Sequence, residues 1–330
     1  MKKKQQTEEK FKTMIGGQAL IEGIMMRGPK LDAIVTRGKD GLVVETSTRK
    51  IRPKKSPLNW PLIRGAVNFF DAQVTGVKAL MRSADLAPEE TQEESSKLDK
   101  WLEKKLGEKK FQDFLVGMSV VLGLGFSIVL FFLIPSIIGA FFSKYVNDFV
   151  QILIEGAIRI AIFVVYMFLM SLIGEMKRVF AYHGAEHKTI RCYEAGLELT
   201  VENVRKQTRM HPRCGTSFLL IVMILSILIF SAGSFALLKL VPALETMSGT
   251  FAYRLIMIGF KLLLLPVVVS FSYEINRIVG KYDNWFTRIL TAPGMWFQNF
   301  TTNEPDDEMI EVGIAALQAV LPEQEGEDRW

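Results

Sequence analysis

Five side chains with metal-binding chemistry lie between residues 183 and 214 of this 330-residue chain. They are all of its histidines (His183, His187 and His211) and both of its cysteines (Cys192 and Cys214). Imidazole nitrogens and thiolates are the donors that zinc and similar transition metals prefer. Their concentration in one stretch predicts a metal site, with zinc or another divalent transition metal as the expected ion.

The first two histidines have a spacing that suits a helix. With 100° per residue, His187 lies about 40° round from His183 and Glu194 about 20° round, so that both imidazoles can reach one ion. Cys192 would lie about 180° from His183 and is therefore expected to be a poor ligand. This geometry applies if the helix of the second apolar run continues past Gly174.

A third ligand must come from outside that helix. Cys214 and His211 are the candidates, because the sequence HPRCG at 211–215 predicts a tight turn that can fold back. As a thiolate, Cys214 is the better zinc donor. Glu194 and Glu274 are further options.

Glu186 completes the pattern His-x-x-Glu-His, which is the order found in the inverted zincins. A carboxylate beside the ion can take a proton from a metal-bound water, whose pKa zinc lowers to about 7. A closed site with four protein ligands would instead only stabilise the fold. The residues alone leave the hydrolytic and the structural role open.

Composition places this stretch beside a membrane. Hydrophobic residues make up 49% of the chain, and the mean hydropathy is +0.22. Four apolar runs, near 114–142, 151–174, 217–240 and 251–273, are long enough to cross a bilayer as helices. The expected fold class is therefore an α-helical integral membrane protein with four transmembrane helices, in a membrane domain at 113–277.

Basic residues predict the orientation of these spans. The segment 175–216, between spans two and three, is rich in Lys and Arg, whereas the other two connections carry only Lys144 and Lys239. By the positive-inside rule, the His/Cys segment and both termini are expected in the cytoplasm. A reducing compartment also fits two cysteines that cannot form a disulfide framework.

The N-terminal part predicts a small hairpin and an interfacial helix. In the basic, Gly-rich segment 1–58, the stretch 15–30 is expected to be a loop packed on an apolar surface. The runs 33–37 and 42–46 flank a Gly/Asp turn, which predicts a β-hairpin. Residues 59–84 predict an amphipathic helix on the bilayer surface or on other helices.

Two further segments lie outside the spans. Residues 85–112 predict a polar linker. Residues 278–330 begin with interfacial character, since Trp285 and Trp296 suit the headgroup zone. They continue into a C-terminal amphipathic helix that is expected to be capped by Asn303.

A few charges fall inside the apolar runs. Glu155 and Arg159 are one turn apart in span two, and Lys261 is near the middle of span four. Such residues usually face a partner or a cavity. We expect ion pairs between helices, with Glu155 shared among the cations; a transport path is the alternative.

Several stretches resemble the YqhQ-like family of bacterial membrane proteins. They are GGQALIEGIMMRGP (16–29), YHGAEHKTI (182–190), HPRCGTSF (211–218), SYEINR (272–277) and PGMWFQNFTTNEPDDEMIEVGIAAL (293–317). Members of that family are described as predicted metal-dependent enzymes. The resemblance implies a multi-span protein of the cytoplasmic membrane with a metal centre, and it supplies no substrate.

The expected function is that of a membrane-proximal metal-dependent hydrolase acting on a peptide or a lipid-linked substrate. The alternatives are a non-catalytic scaffold or a membrane-protein assembly or translocation factor with a structural site, and a transporter. Membrane lipid is the expected partner, with other membrane proteins or a second copy of the chain as further partners. Nucleic acid is not expected, because no nucleic-acid-binding motif is present.

Overall fold

A computed structural model describes residues 10–39, 41–53, 55–86, 105, 107–142, 145–146, 148–324 and 326–329. The basic start at 1–9 and most of the predicted linker at 85–112 lie outside the described residues. The strands are β1 (Gly16–Leu20), β2 (Gly23–Arg27), β3 (Leu31–Gly38) and β4 (Gly41–Thr48). The helices are α1 (Ile63–Leu86), α2 (Glu108–Ile128), α3 (Ile134–Phe142), α4 (Asp148–Leu172), α5 (Gly174–Glu194), α6 (Val201–Lys206), α7 (Gly215–Leu240), α8 (Ala243–Thr246), α9 (Phe251–Lys281), α10 (Trp285–Thr301) and α11 (Asp307–Gln318).

Four helical segments are long and apolar enough to span a bilayer. They are Phe114–Phe142, Val150–Leu172, Gly215–Leu240 and Phe251–Lys281. Between 11% and 39% of each apolar window is buried inside the protein. The remaining surface is suited to contact with lipid, and the expected four-span α-helical membrane fold is confirmed.

Contacts divide the chain into two compact units. The first, which we call the sheet unit, comprises Met1–Glu89, Met167–Leu225 and Pro266–Trp330. The second, which we call the span unit, comprises Glu90–Tyr166 and Ser226–Leu265.

The sheet unit contains a four-stranded antiparallel sheet in the order β1-β2-β3-β4. β3 and β4 match the predicted hairpin, but the stretch 15–30, expected to be a loop, forms β1 and β2. β2 is buried along most of its length, and a strand covered on both faces lacks the alternation that identifies half-buried strands. That is why the sequence pattern missed it.

The core of the sheet unit lies between this sheet, α5 and α11. Ile24 and Met26 of β2 pack with Tyr182 of α5 and with Val312 and Leu317 of α11, all nearly inaccessible to solvent. The C-terminal helix therefore buries its apolar face against the sheet. Burial of such side chains stabilises a fold by about 1.5–3 kcal/mol each.

Helix α1 contacts the rest of the sheet unit through small residues. Gly65 and Gly76 are buried, and a Cβ on Gly76 would collide with the Gln18 side chain. Its large apolar residues point outward, with Phe70 60% and Val74 55% exposed. An exposed apolar face is what an interfacial helix offers to lipid.

Two helix boundaries differ from expectation. Ile173 has an extended conformation, so α5 is a separate helix rather than a continuation of span two. The cap of α11 is Asp306, whose side chain accepts from the Met309 amide, and not Asn303. The backbone N–H of Asn303 instead donates to the Phe180 carbonyl at 2.8 Å, which ties the chain before α11 to α5.

The buried charges of the span unit have separate partners. Lys261 pairs with Glu155 at 2.6 Å. Arg159 donates to the Phe131 carbonyl at 2.7 Å. Pro135, four residues after Phe131, has no N–H to donate to that carbonyl, and a π-helical turn at Val129–Leu133 lies just before this proline. The expected ion pair between helices is thus formed by Lys261 and Glu155, while Arg159 interacts electrostatically with Glu155 but makes its hydrogen bonds elsewhere.

Candidate metal centre

Three predicted ligands come together in the sheet unit. His183 and His187 lie one turn apart on α5, and Cys214 immediately precedes α7. Their donor atoms all lie within 4.8 Å of one another, and the Nε2 atom of His183 is 3.1 Å from the Cys214 sulfur. Zinc bonds of about 2.0–2.3 Å place tetrahedral ligands about 3.3–3.7 Å apart. Small side-chain rotations would therefore allow all three to bind one ion.

Backbone carbonyls orient both imidazoles. The Nδ1 atom of His183 lies 2.8 Å from the Thr301 carbonyl, and that of His187 lies 2.6 Å from the Arg209 carbonyl. A carbonyl oxygen can only accept, so each Nδ1 must carry a proton. Each Nε2 then keeps its lone pair for a metal in the neutral ring, which is the usual outer-shell arrangement of metal-binding histidines.

Electrostatics around Cys214 favour the thiolate. Burial by itself would raise the pKa of the Cys214 thiol, but the neighbouring His183 and His187 lower it well below its ordinary value. Burial by itself would lower the pKa of His183, but the Cys214 thiolate outweighs the effect of burial and raises the pKa of His183 to about 9. The thiolate is the form of cysteine that binds metals.

Glu186 lies beside this cluster and is only 5% exposed. Its Oε1 atom accepts from the Gly17 amide at 3.0 Å, whereas its Oε2 atom is buried and has no hydrogen-bond partner among the described residues. Burial raises the pKa of this carboxyl group above its ordinary value, although the adjacent imidazoles partly oppose the shift. A buried carboxylate oxygen without a partner is costly, and a cation or a water held there would satisfy it.

Gly17 is a site residue that the sequence reasoning missed. A Cβ at this position would lie 2.7 Å from the Met25 carbonyl oxygen and 3.0 Å from the Glu186 carboxyl carbon. Only glycine lets β1 approach Glu186 this closely. A glycine inside a strand often marks such a close approach, but that signal depends on recognising β1 as a strand.

His211 lies near the cluster but outside the group of donor atoms. Its ring centroid is 5.5 Å from that of His187, and its Nε2 atom lies 3.3 Å from Glu194. Glu194 also accepts from the Thr13 amide at 2.9 Å and forms an ion pair with Arg213. His211 and Glu194 are thus engaged with each other and with their neighbours.

The other candidates lie elsewhere in the sheet unit. Glu274 pairs with Arg64, whose Nε atom is 2.7 Å away. Cys192 is buried beside Val204 and Ile310, and burial raises the pKa of its thiol to about 11. A protonated thiol in apolar surroundings is typical of an inert, structural cysteine.

The segment Thr301–Asp306, which we call the strap, covers one side of the cluster. Besides the Thr301 carbonyl on His183, Thr302 accepts from the Arg209 guanidinium, and Glu304 pairs with Lys188 at 2.5 Å. A Cβ on Gly184 would collide with the Asn303 carbonyl, so this glycine allows the strap to lie against α5. Among the three donors His183 is the most accessible, whereas His187 and Cys214 are 1% and 5% exposed.

Comparisons with known proteins give a family and no function. The family described as "Protein of unknown function (DUF1385)" matches residues 60–323. The chain is 32% identical, over 326 residues, to "Uncharacterized protein YqhQ" of Bacillus subtilis (strain 168), covering 96% of this chain and 94% of that relative. No solved structure matches significantly. The chain therefore belongs to the DUF1385 family, and it is similar to YqhQ over nearly its whole length.

Proposed function

We propose that this membrane protein is a zinc-dependent hydrolase, with His183, His187 and Cys214 as metal ligands and Glu186 as general base. The observation that carries the proposal is the unpartnered Oε2 atom of Glu186 beside three convergent donors. The backbone carbonyls fix the protons of both imidazoles, and the environment favours the Cys214 thiolate. This donor set fits zinc.

Each residue of the site would have a distinct role. Bound zinc supplies a Lewis acid and lowers the pKa of a water ligand to about 7. Glu186 would accept the proton of that water at Oε2, while the Gly17 amide holds Oε1 and fixes the carboxylate plane. Three protein ligands leave a fourth coordination position, which is the pattern of catalytic zinc sites.

The position of the site in the chain supports a substrate at the membrane edge. Cys214 directly precedes the span Gly215–Leu240, so one ligand lies within a residue of the bilayer-spanning segment. A peptide or a lipid-linked molecule emerging from the membrane would reach it past His183. By the positive-inside rule, the basic segment 175–216 supports our proposal that this edge and both termini face the cytoplasm at the cytoplasmic membrane.

The second candidate function is a scaffold or assembly factor with a structural metal site, and the burial of the site favours it. His187, Glu186 and Cys214 are each at most 5% exposed. The cluster also joins α5 to the chain before α7 and to the strap. A metal in that position would fix three distant segments with no reaction taking place.

An open coordination position separates the two candidates. We would load the purified protein with cobalt(II), which reports its geometry in visible absorption, and add acetohydroxamate. A catalytic site should show shifted cobalt bands as the added ligand enters the open position. Unchanged bands would indicate a closed structural site and would contradict the hydrolase proposal.

The role of Glu186 is tested with Glu186→Gln. Substrates would be a fluorogenic peptide and the same peptide with a lipid anchor. We expect the variant to keep its zinc but to lose about 100-fold or more in turnover, since general-base catalysis contributes about 10²–10⁴-fold. Equal turnover by the parent and the variant would favour the scaffold. So would a parent that shows no turnover and whose cobalt bands do not change when acetohydroxamate is added.

A further inference from the structure

The span unit contains a polar cavity of about 330 Å³ among α3, α4, α7 and α9. We call it the span cavity. Its polar lining includes Ser136, Gln151, Glu155, Ser234, Arg254 and Lys261. Ionisable side chains inside membrane-spanning segments are expensive to bury and commonly mark functional sites.

The span cavity carries an excess of positive charge. Lys261, 5% exposed, and Glu155, also 5% exposed, neutralise each other at 2.6 Å. Gly139 gives the Glu155 side chain its space, since a Cβ there would meet Glu155 Cγ at 2.6 Å. Arg254 has no carboxylate partner among the described residues. One cation therefore remains uncompensated.

A hydroxyl group in the same cavity is also left without a partner. Ser234 is 1% exposed, and its Oγ atom makes no hydrogen bond in the described part of the chain. Buried hydroxyl groups are normally hydrogen-bonded. Together with Arg254, this group shows that the span cavity has unused capacity to donate hydrogen bonds.

The sign of these groups determines the kind of ligand. A cation would be repelled by the uncompensated Arg254, and Glu155 is already paired with Lys261. An oxyanion would accept from the guanidinium, the ammonium and the hydroxyl, and charge-assisted hydrogen bonds of this kind are strong. We propose that the span cavity binds a phosphate-type oxyanion, presented by an anionic lipid headgroup or free in solution.

The test uses the full-length protein in nanodiscs of phosphatidylcholine. In one arm inorganic phosphate is titrated, and in the other phosphatidylglycerol is added and its retention is measured by mass spectrometry of the intact complex. Arg254→Gln removes the unpaired cation, and Glu155→Gln releases Lys261 from its pair. Lys239→Gln is the matched control, because Lys239 lies over the Phe235 ring and does not line the cavity.

We expect the parent to bind one of the two probes, and the responding arm identifies the source of the oxyanion. Arg254→Gln should weaken that binding at least tenfold, Glu155→Gln should strengthen it, and Lys239→Gln should leave it within twofold. Lack of binding in both arms would overturn the proposal. So would an equal loss in Arg254→Gln and Lys239→Gln, which would show a general surface-charge effect, or unchanged binding in both cavity variants.

Discussion

The metal cluster and the span cavity both bury charged side chains, but they leave groups of opposite sign unsatisfied. At the cluster the open group is an acceptor, the Oε2 atom of Glu186, whereas the Cys214 thiolate already accepts from His183 and from the Thr216 amide. In the span cavity the open groups are the Arg254 guanidinium and the Ser234 hydroxyl. An unmet polar group is costly when it is buried. The Oε2 atom of Glu186 therefore indicates a cation, whereas the buried Ser234 hydroxyl and the half-buried Arg254 guanidinium indicate an anion.

The treatment of satisfied groups also differs between the two regions. At the cluster, backbone carbonyls and the Gly17 amide hold the side chains in fixed orientations. In the span unit, Glu155 and Lys261 neutralise each other, and the Phe131 carbonyl accepts from Arg159. Orientation by neutral backbone leaves reactive atoms available, whereas mutual neutralisation removes them. This is why we assign chemistry to the cluster and only binding to the cavity.

The largest expected effect is the loss of metal from His187→Ala. Removal of one of three donors should lower the zinc content from about one ion per chain to below about 0.1, as measured by elemental analysis of dialysed protein. Cys192→Ala is the control, since Cys192 lies buried beside Val204, away from the donor group. Full zinc occupancy in His187→Ala would contradict the ligand assignment.

The next effect concerns the ion pair of the span unit. Lys261→Met should lower the free energy of unfolding by about 3–5 kcal/mol, because it leaves Glu155 buried and charged without a partner. Adding Glu155→Gln should restore most of this loss in thermal unfolding of the detergent-solubilised protein. The exposed pair of Lys206 and Glu202 offers a contrast, since Lys206→Gln should leave the stability almost unchanged. A double variant no more stable than Lys261→Met would show that the unpaired charge of Glu155 is not the cause of the lost stability.

A smaller effect is expected from Gly17→Ala. The added methyl group would press on the Met25 carbonyl and on the carboxyl group of Glu186. We expect zinc content to be unchanged and peptide turnover to fall about 10–100-fold, as for other outer-shell changes. Gly16→Ala is the matched control, because nothing lies within 4 Å of a Cβ there. Equal turnover in the two variants would show that Gly17 does not position Glu186.

The smallest effect is a pH dependence outside both sites. Glu22 accepts from Arg178 through both carboxylate oxygens, each at 2.6 Å, and this hydrogen bonding lowers the pKa of Glu22 below its usual 4.5. A lowered folded-state pKa contributes stability above the unfolded value, and that stability is lost as the pH falls through the folded value. Thermal unfolding from pH 6 to pH 3 should therefore be less pH-dependent in Glu22→Gln than in the parent. Parallel curves would contradict this.

Part of the site could be predicted from local patterns. The i,i+4 spacing of His183 and His187 places them on one helical face wherever that helix forms, and Cys192 falls on the other face for the same reason. The choice between Cys214 and His211 could not be made in this way. It depends on His211 lying 3.3 Å from Glu194, a contact set by the packing of the turn before α7.

The long-range contacts of the site were out of reach of sequence patterns. The Gly17 amide and Glu186 are 169 residues apart, and Thr301 and His183 are 118 apart. Asn303 looked like a helix cap, yet it lies against α5 while Asp306 caps α11. Each of these depends on which surfaces meet, and no local spacing encodes that.

By itself, the sequence determined the four spans, because bilayer thickness sets a minimum length of apolar helix that can be measured along the chain. It also determined which residue types carry the chemistry. Only the tertiary structure decided which donors converge, which carboxylate oxygen stays unpaired and where the uncompensated cation lies. Those outcomes depend on contacts between distant segments, whose free energies arise only when the segments pack together.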